Sequence, residues 1–475
     1  MFSRVAQWSL AIAWLGSGVA DAAEKLPDVV KVASAPGRKW HNKPTRTLAD
    51  LPPIPADPEG SRFGGLPVKF GQGTGYFRVV NPEGRWWLVD PEGYLFIHRG
   101  VTSVNETRTK AANESLLRDF GSVEKWAEAT GGMLKDHGFN GLGSWCDIET
   151  LEPASKGLVY TQLRPFMSSY ARERKRTHRL PGHTGYEGDC PLIFDLGFAE
   201  FCDRTARDLA ENKDDPWLLG YFTDNELPWS LEMLERYLSL PKTEPGYLAA
   251  LKWLQERHGP DAGIAEIKER DKGEFVGFAA DTYFATVTKA IRKYDPNHLI
   301  LGSRFHGRAL SIPELFEAAG RHVDVVSVNY YHAWTPDAER MDSWSEGAGR
   351  PVLVSEWYAK AEDSKMGNKG GVGWLVKTQA DRAAFYQNYT LGLLESQRCV
   401  GWHWFRYSDN DPGQKGVDAS NRDSNKGIVT SHYKPYRTLL DAMKEINVRT
   451  YGIVRHFDNP KRSRGGLNKT SSSNR

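Results

Sequence analysis

Eight β-like runs, most of them separated by helical patterns, constrain the fold of this chain more than any other feature. The runs are Leu95 to Val104, Gly138 to Trp145, Val159 to Pro165, Leu218 to Glu226, Leu299 to Phe305, Val323 to Tyr331, Val352 to Glu356 and Val400 to Tyr407. Helical periodicity lies between most of them, at Val123 to His137, Phe198 to Asn212, Phe278 to Tyr294 and Asp381 to Ser396. Strands alternating with helices predict a parallel sheet, and eight of them predict a (β/α)8 TIM barrel. A doubly wound open sheet is the alternative. It is weakened by the absence of any GxGxxG or GxxxxGKS/T phosphate loop.

The flanks divide the rest of the chain. Arg4, the apolar run Trp8 to Gly16 and the small residues Ala20-Asp21-Ala22 have the layout of a secretory signal over residues 1–22. The run is too short for a stable span, although an uncleaved anchor is the alternative. The mature chain is expected to begin near Ala23 and to be secreted or periplasmic, with no membrane attachment after cleavage. Residues 23–93 read as an extended arm followed by a short β-meander, residues 94–458 as the catalytic barrel, and residues 459–475 as a disordered basic tail. The meander runs are Tyr76 to Val80, Trp86 to Val89 and Tyr94 to Ile97. They are joined by Asn81-Pro82-Glu83-Gly84 and Asp90-Pro91-Glu92-Gly93, which suit type I turns with a bulge.

Two insertions follow strand ends, where barrel active sites lie. Met167 to Asp189 contains the run Arg172-Glu173-Arg174-Lys175-Arg176, which either meets an anionic substrate or is a solvated loop. Leu231 to Lys272 is helical and precedes the helix after the fourth strand. Both are placed to wall a cleft.

Composition narrows the function. A formal net charge of +2 over 475 residues argues against a nucleic-acid partner. The 16 Trp and 19 Tyr, several near strand ends, suit stacking on sugar faces, with core filling as the ordinary alternative. Cys146, Cys190, Cys202 and Cys399 show no CxxC or Cys/His zinc spacing. Export permits disulfides, and Cys190 and Cys202 are close enough in sequence to pair, but all three pairings of four cysteines stay open. No metal and no cofactor is expected, and the sequence leaves the oligomeric state open.

The chemistry is carried by two glutamates. Glu226 closes the fourth strand run and Glu356 the seventh. A carboxylate ending a buried strand is costly unless it is paired or functional. Parallel strands bring both to one face of the barrel. Two carboxylates roughly 5 Å apart suit retaining glycoside hydrolysis, one as the acid and one as the nucleophile. Around them, Asn225 is placed to bond the sugar hydroxyl beside the anomeric centre, or else to form a strand-end Asx turn. Tyr330 ends the sixth strand and is expected either to donate its hydroxyl to the nucleophile or to pack in the core. Trp357, Trp404 and Trp145 are candidate sugar platforms. Arg304 either supports a carboxylate or sugar or forms a buried ion pair. His306, His332 and His403 near strand ends fit sugar bonding or carboxylate orientation better than a metal. The amidohydrolase-type barrel would want His-x-His on the first strand, and only His98 is there.

These residues resemble a known family. An Asn-Glu ending on the fourth strand with a Glu ending the seventh is the mark of the retaining (β/α)8 glycosidase clan. Within it, Gly220-Tyr221-Phe222-Thr223-Asp224-Asn225-Glu226-Leu227-Pro228-Trp229 resembles the acid/base segment of the β-agarase-type glycoside hydrolases. Gly401-Trp402-His403-Trp404-Phe405-Arg406-Tyr407-Ser408-Asp409, Asn425-Lys426-Gly427-Ile428-Val429 and Trp86-Trp87-Leu88-Val89-Asp90-Pro91-Glu92-Gly93 fit the same family. The resemblance spans roughly Tyr76 to Ile453. It implies Glu226 as acid/base, Glu356 as nucleophile, and a polysaccharide or oligosaccharide partner, with agarose as the expected substrate. The chain departs from many such agarases in having an arm of about fifty residues where they carry a sizeable carbohydrate-binding domain. Other readings are a β-galactosidase, a porphyran- or carrageenan-active enzyme, a non-catalytic carbohydrate-binding barrel, or a metal-dependent hydrolase.

Overall fold

The computed structural model describes residues 25–459 apart from 108, 156 and 415. The expected signal segment and the basic tail beyond Asn459 lie outside the described residues. Eight strands form one sheet: β1 His98–Val101, β2 Gly141–Leu142, β3 Val159–Leu163, β4 Leu218–Phe222, β5 Leu299–Ile300, β6 Val326–Asn329, β7 Val352–Trp357 and β8 Cys399–Trp404. Their order is β5-β4-β3-β2-β1-β8-β7-β6, with every neighbouring pair parallel. A parallel bridge between Phe305 and Val328 joins the two edges, helped by the Asp324 and Val325 amides donating to Ile300 O. The sheet is thereby closed into a (β/α)8 barrel, and each expected strand run contributes one strand.

Helices lie where the periodicity predicts them, at Val123–Asp136, Phe198–Ala206, Glu269–Tyr294 and Gln379–Glu395. The third starts earlier than its pattern suggests. Asp271 caps it by accepting the Lys268 amide at 2.7 Å, so the end of the second insertion is absorbed into the barrel helix. Gly273 in its first turns allows close packing, since a Cβ there would lie 2.4 Å from Glu314 Oε1.

The barrel interior is layered along its axis. At the N-terminal end, Phe63, Phe77, Leu88 and Phe96 from the arm and meander pack on Val159, Leu219, Leu299, Val325, Leu353 and Val400. These last six lie near the starts of their strands, so the meander stoppers that end. Each such aromatic side chain taken from water contributes about 1.5–3 kcal/mol. Above this layer His98 Nδ1 lies 2.8 Å from His403 Nε2, and His98 Nε2 lies 3.0 Å from Val159 O. Burial lowers the His98 pKa to about 4 and pushes that of His403 well down, so both rings are neutral at neutral pH. Gly141 makes room for them, because a Cβ there would lie 1.9 Å from His98 Nε2. His403 is therefore a filler of the barrel core and does not reach the mouth.

The arm is tied to the last helices. The Arg46 amide donates to Asn388 Oδ1 at 2.9 Å and the Leu48 amide to Gln387 Oε1 at 2.8 Å. Asp57 accepts the Tyr451 and Gly452 amides, each at 2.8 Å. The four cysteines are free thiols, and Cys190 and Cys202 are buried without pairing.

Candidate active site

Several strands end at the C-terminal mouth in a left-handed residue. Ser103, Trp145, Glu226, Arg304 and His332, which follow β1, β2, β4, β5 and β6, have φ of 53°, 60°, 52°, 54° and 63°. Such backbone costs on the order of 1–3 kcal/mol per residue and persists where the surroundings enforce it. Trp145, Glu226 and Arg304 converge on the mouth from there.

Glu226 and Glu356 line one cavity of about 450 Å³. Glu356, on β7, is 6% exposed and held at both oxygens. The Arg304 guanidinium bonds Oε1, and the Tyr331 hydroxyl donates to Oε2 at 2.7 Å. Arg304 is fully buried, and its other nitrogens reach Asn225 Oδ1 at 2.8 Å and the Ser144 hydroxyl. Its guanidinium also lies over the Trp145 ring, 4.5 Å from the centroid. A buried cation with this many partners fixes the carboxylate firmly.

Glu226 is held differently. Its Oε1 accepts from Asn329 Nδ2 at 2.8 Å, and the imidazoles of His306 and His183 stand 3.8 Å from its two oxygens. Burial raises its pKa. The neighbouring Glu356 charge adds to the rise, while the two histidines and the Asn329 bond oppose it. One carboxyl is thus clamped by a cation and a hydroxyl. The other is pushed toward its protonated form, as acid/base chemistry with paired carboxyls needs.

The structure redistributes the supporting residues. Of the two roles expected for Tyr330 it takes core packing: it is buried, its hydroxyl accepts the Asp337 amide at 3.2 Å, and the next residue, Tyr331, reaches Glu356 instead. Trp357 and Trp404 are 1% and 0% exposed and lie in the core rather than under a sugar. Trp357 stacks on Tyr389 with ring centroids 4.2 Å apart, and Trp404 donates its indole N–H to Lys426 O. Trp145, 40% exposed, is the tryptophan of the three that faces the cleft. Asn225 lies between Arg304 and the cavity next door. His332 is exposed and stands outside the cavity lining, while His306 faces Glu226. Among the described residues, no three of His, Cys, Asp and Glu cluster as metal ligands. The sequence reading missed His183, Ser144, Asn329 and Tyr331. Asn329 and Tyr331 belong to the run that ends the sixth strand, which is the signal that marks them. His183 carries no local signal.

The first insertion explains His183. It folds into a helix, Phe166–Glu173, and a hairpin, Thr177–Leu180 paired with His183–Tyr186. The hairpin tip crosses toward the loop after β8. The Gly182 amide donates to Asp418 Oδ1 at 2.9 Å, and Arg179 donates to Gly416 O at 3.3 Å. This bridge spans part of the mouth, with the cavity of Glu226 and Glu356 on one side and a second cavity of about 620 Å³ on the other.

No protein-family model matches the chain. Two β-agarases of Vibrio sp. (strain JT0107) are similar to it. β-Agarase B is 24% identical over 80% of this chain and 49% of its own length, and β-agarase A is 28% identical over 76% and 39%. Among solved structures, BpGH50 superposes with a TM-score of 0.79 at 29% identity, covering 90% of this chain and 96% of that one. The chain is a relative of the β-agarase-type glycoside hydrolases. The agarase AgWH50C shares the fold, with a TM-score of 0.69 at 23% identity over 84% of this chain and 67% of that one. The chain spans less than half the length of the Vibrio β-agarases it matches.

Proposed function

We propose that the chain is a secreted retaining glycoside hydrolase that cleaves β-galactosidic linkages in a marine galactan, with agarose as the first candidate. The observation that carries this reading is the unequal holding of two carboxyls in one cavity: Glu356 bonded by Arg304 and Tyr331, and Glu226 with a raised pKa. Glu356 attacks the anomeric carbon while Glu226 gives its proton to the leaving glycosidic oxygen. Glu226 then takes a proton from the water that releases the sugar from Glu356, which restores both groups. Kinship with β-agarases supports the choice of galactan. No helix among the described residues is long and apolar enough to cross a membrane, which is compatible with export.

The test is a product assay of the chain from Ala23 onward on agarose, porphyran, carrageenan and simple β-galactosides. Neoagaro-oligosaccharides whose new reducing end is β at early times support the reading. An α product removes the double displacement. Cleavage confined to another polymer keeps the mechanism and replaces the substrate.

A further inference from the structure

The second cavity, beyond the bridge, is charged in a way that a neutral galactan does not require. Trp145 walls both cavities, so a sugar chain stacked on it passes from the catalytic glutamates into this neighbouring space. Arg172, Arg179 and His178 line the second cavity, with Asp418 as its acidic residue. Asp418 is already engaged by the Gly182 and Ser420 amides at 2.9 and 2.8 Å. Arg179 pairs loosely with it at 3.7 Å and donates to Gly416 O at 3.3 Å.

The basic run shows which charge is left over. Arg174 pairs with Asp195, Arg176 with Glu187 and Glu244, and Glu173 with Arg204. Arg172 makes no ion pair among the described residues and lines the cavity. Hydroxyl groups of a neutral sugar are met by carboxylates, amides and indoles. Two guanidinium groups against one carboxylate, itself already held by two amides, leave a net positive lining that matches an oxyanion.

We propose that this cavity is a subsite for a galactan unit carrying an anionic substituent, a sulfate ester or a carboxylate, read by Arg172 and Arg179. The inference rests on the glycoside hydrolase reading and narrows its substrate class. No step of the hydrolysis changes. The subsite selects which chains are held across Trp145.

The test is calorimetric binding to the Glu356→Gln variant, so that turnover does not interfere. The ligands are a sulfated galactan tetrasaccharide, its desulfated counterpart and a carboxylate-bearing pyruvylated analogue. At low salt, one or both charged ligands bind about tenfold more tightly than the neutral one, as two partly exposed ion pairs provide. The stronger of the two identifies the anion. Adding Arg172→Gln and Arg179→Gln, both at exposed positions, brings the charged ligands to the affinity of the neutral one. Salt at about 0.5 M shrinks it as well. Equal affinity for charged and neutral ligands overturns the proposal, and so does a preference that survives both substitutions. Wild-type cleavage of the neutral ligand with no charge preference would remove the subsite and leave the hydrolase. Charge-selective binding without cleavage by the wild type would do the reverse.

Discussion

The Tyr331 hydroxyl stands 2.7 Å from Glu356 Oε2, whereas the adjacent Tyr330 turns its hydroxyl to the Asp337 amide. A hydrogen bond to a charged acceptor is worth about 1.5–3 kcal/mol. Tyr331→Phe should therefore lower kcat/KM on an agaro-oligosaccharide by about ten- to a hundredfold, while Tyr330→Phe stays within about twofold. Equal losses in steady-state kinetics would break the assignment of Tyr331.

Glu226→Ala should depend on the leaving group. Natural oligosaccharides need a proton on the departing oxygen and should lose about a hundredfold or more, while an aryl glycoside with a good leaving group loses far less in its first step. Glu356→Gln should remove turnover of both. Similar losses on the two substrates for Glu226→Ala would count against the acid role.

The pH profile should follow the groups around Glu226. The proposed acid must be protonated at the start of the cycle, so kcat/KM falls as pH rises through the Glu226 pKa. Burial raises that pKa and His306 opposes the rise. His306→Gln removes an opposing influence, so the alkaline limb should move to higher pH. A limb that stays fixed or moves down would show that Glu226 does not set it.

The tryptophans should separate binding from stability. Trp145→Ala opens a partly exposed cleft wall and should raise KM with little change in Tm. Trp357→Ala empties a core site stacked on Tyr389 and should cost about 3–5 kcal/mol of stability, read by denaturant unfolding. The reverse pattern would return Trp357 to the cleft.

Much of this arrangement was legible in the sequence because strand ends in a parallel barrel converge whatever their loops do. Asn225 and Glu226, Arg304 and Glu356 come from three different runs and still meet or adjoin at one mouth. Phase along a strand was less secure. Ser327, Asn329 and Tyr331 all face inward at two-residue spacing, so plain alternation puts Tyr331, and not Tyr330, beside Glu356. Trp357 carried its own warning. It follows Glu356 on the same strand, and successive side chains point to opposite faces. With Glu356 facing the cavity, Trp357 must face the helix Gln379–Glu395. His183 was out of reach, because a hairpin inserted after β3 delivers it across the mouth through contacts with the loop after β8.

The meander that packs Phe77, Leu88 and Phe96 under the barrel also governs traffic. With that end filled by apolar side chains and a neutral histidine layer above them, nothing wet approaches the glutamates from below. Under the proposed hydrolysis, substrate, water and product would all use the mouth at the opposite end, where Trp145 stands. The proposed double displacement would then bring its water to the anomeric carbon by the route the departing sugar has just vacated, so departure would precede entry.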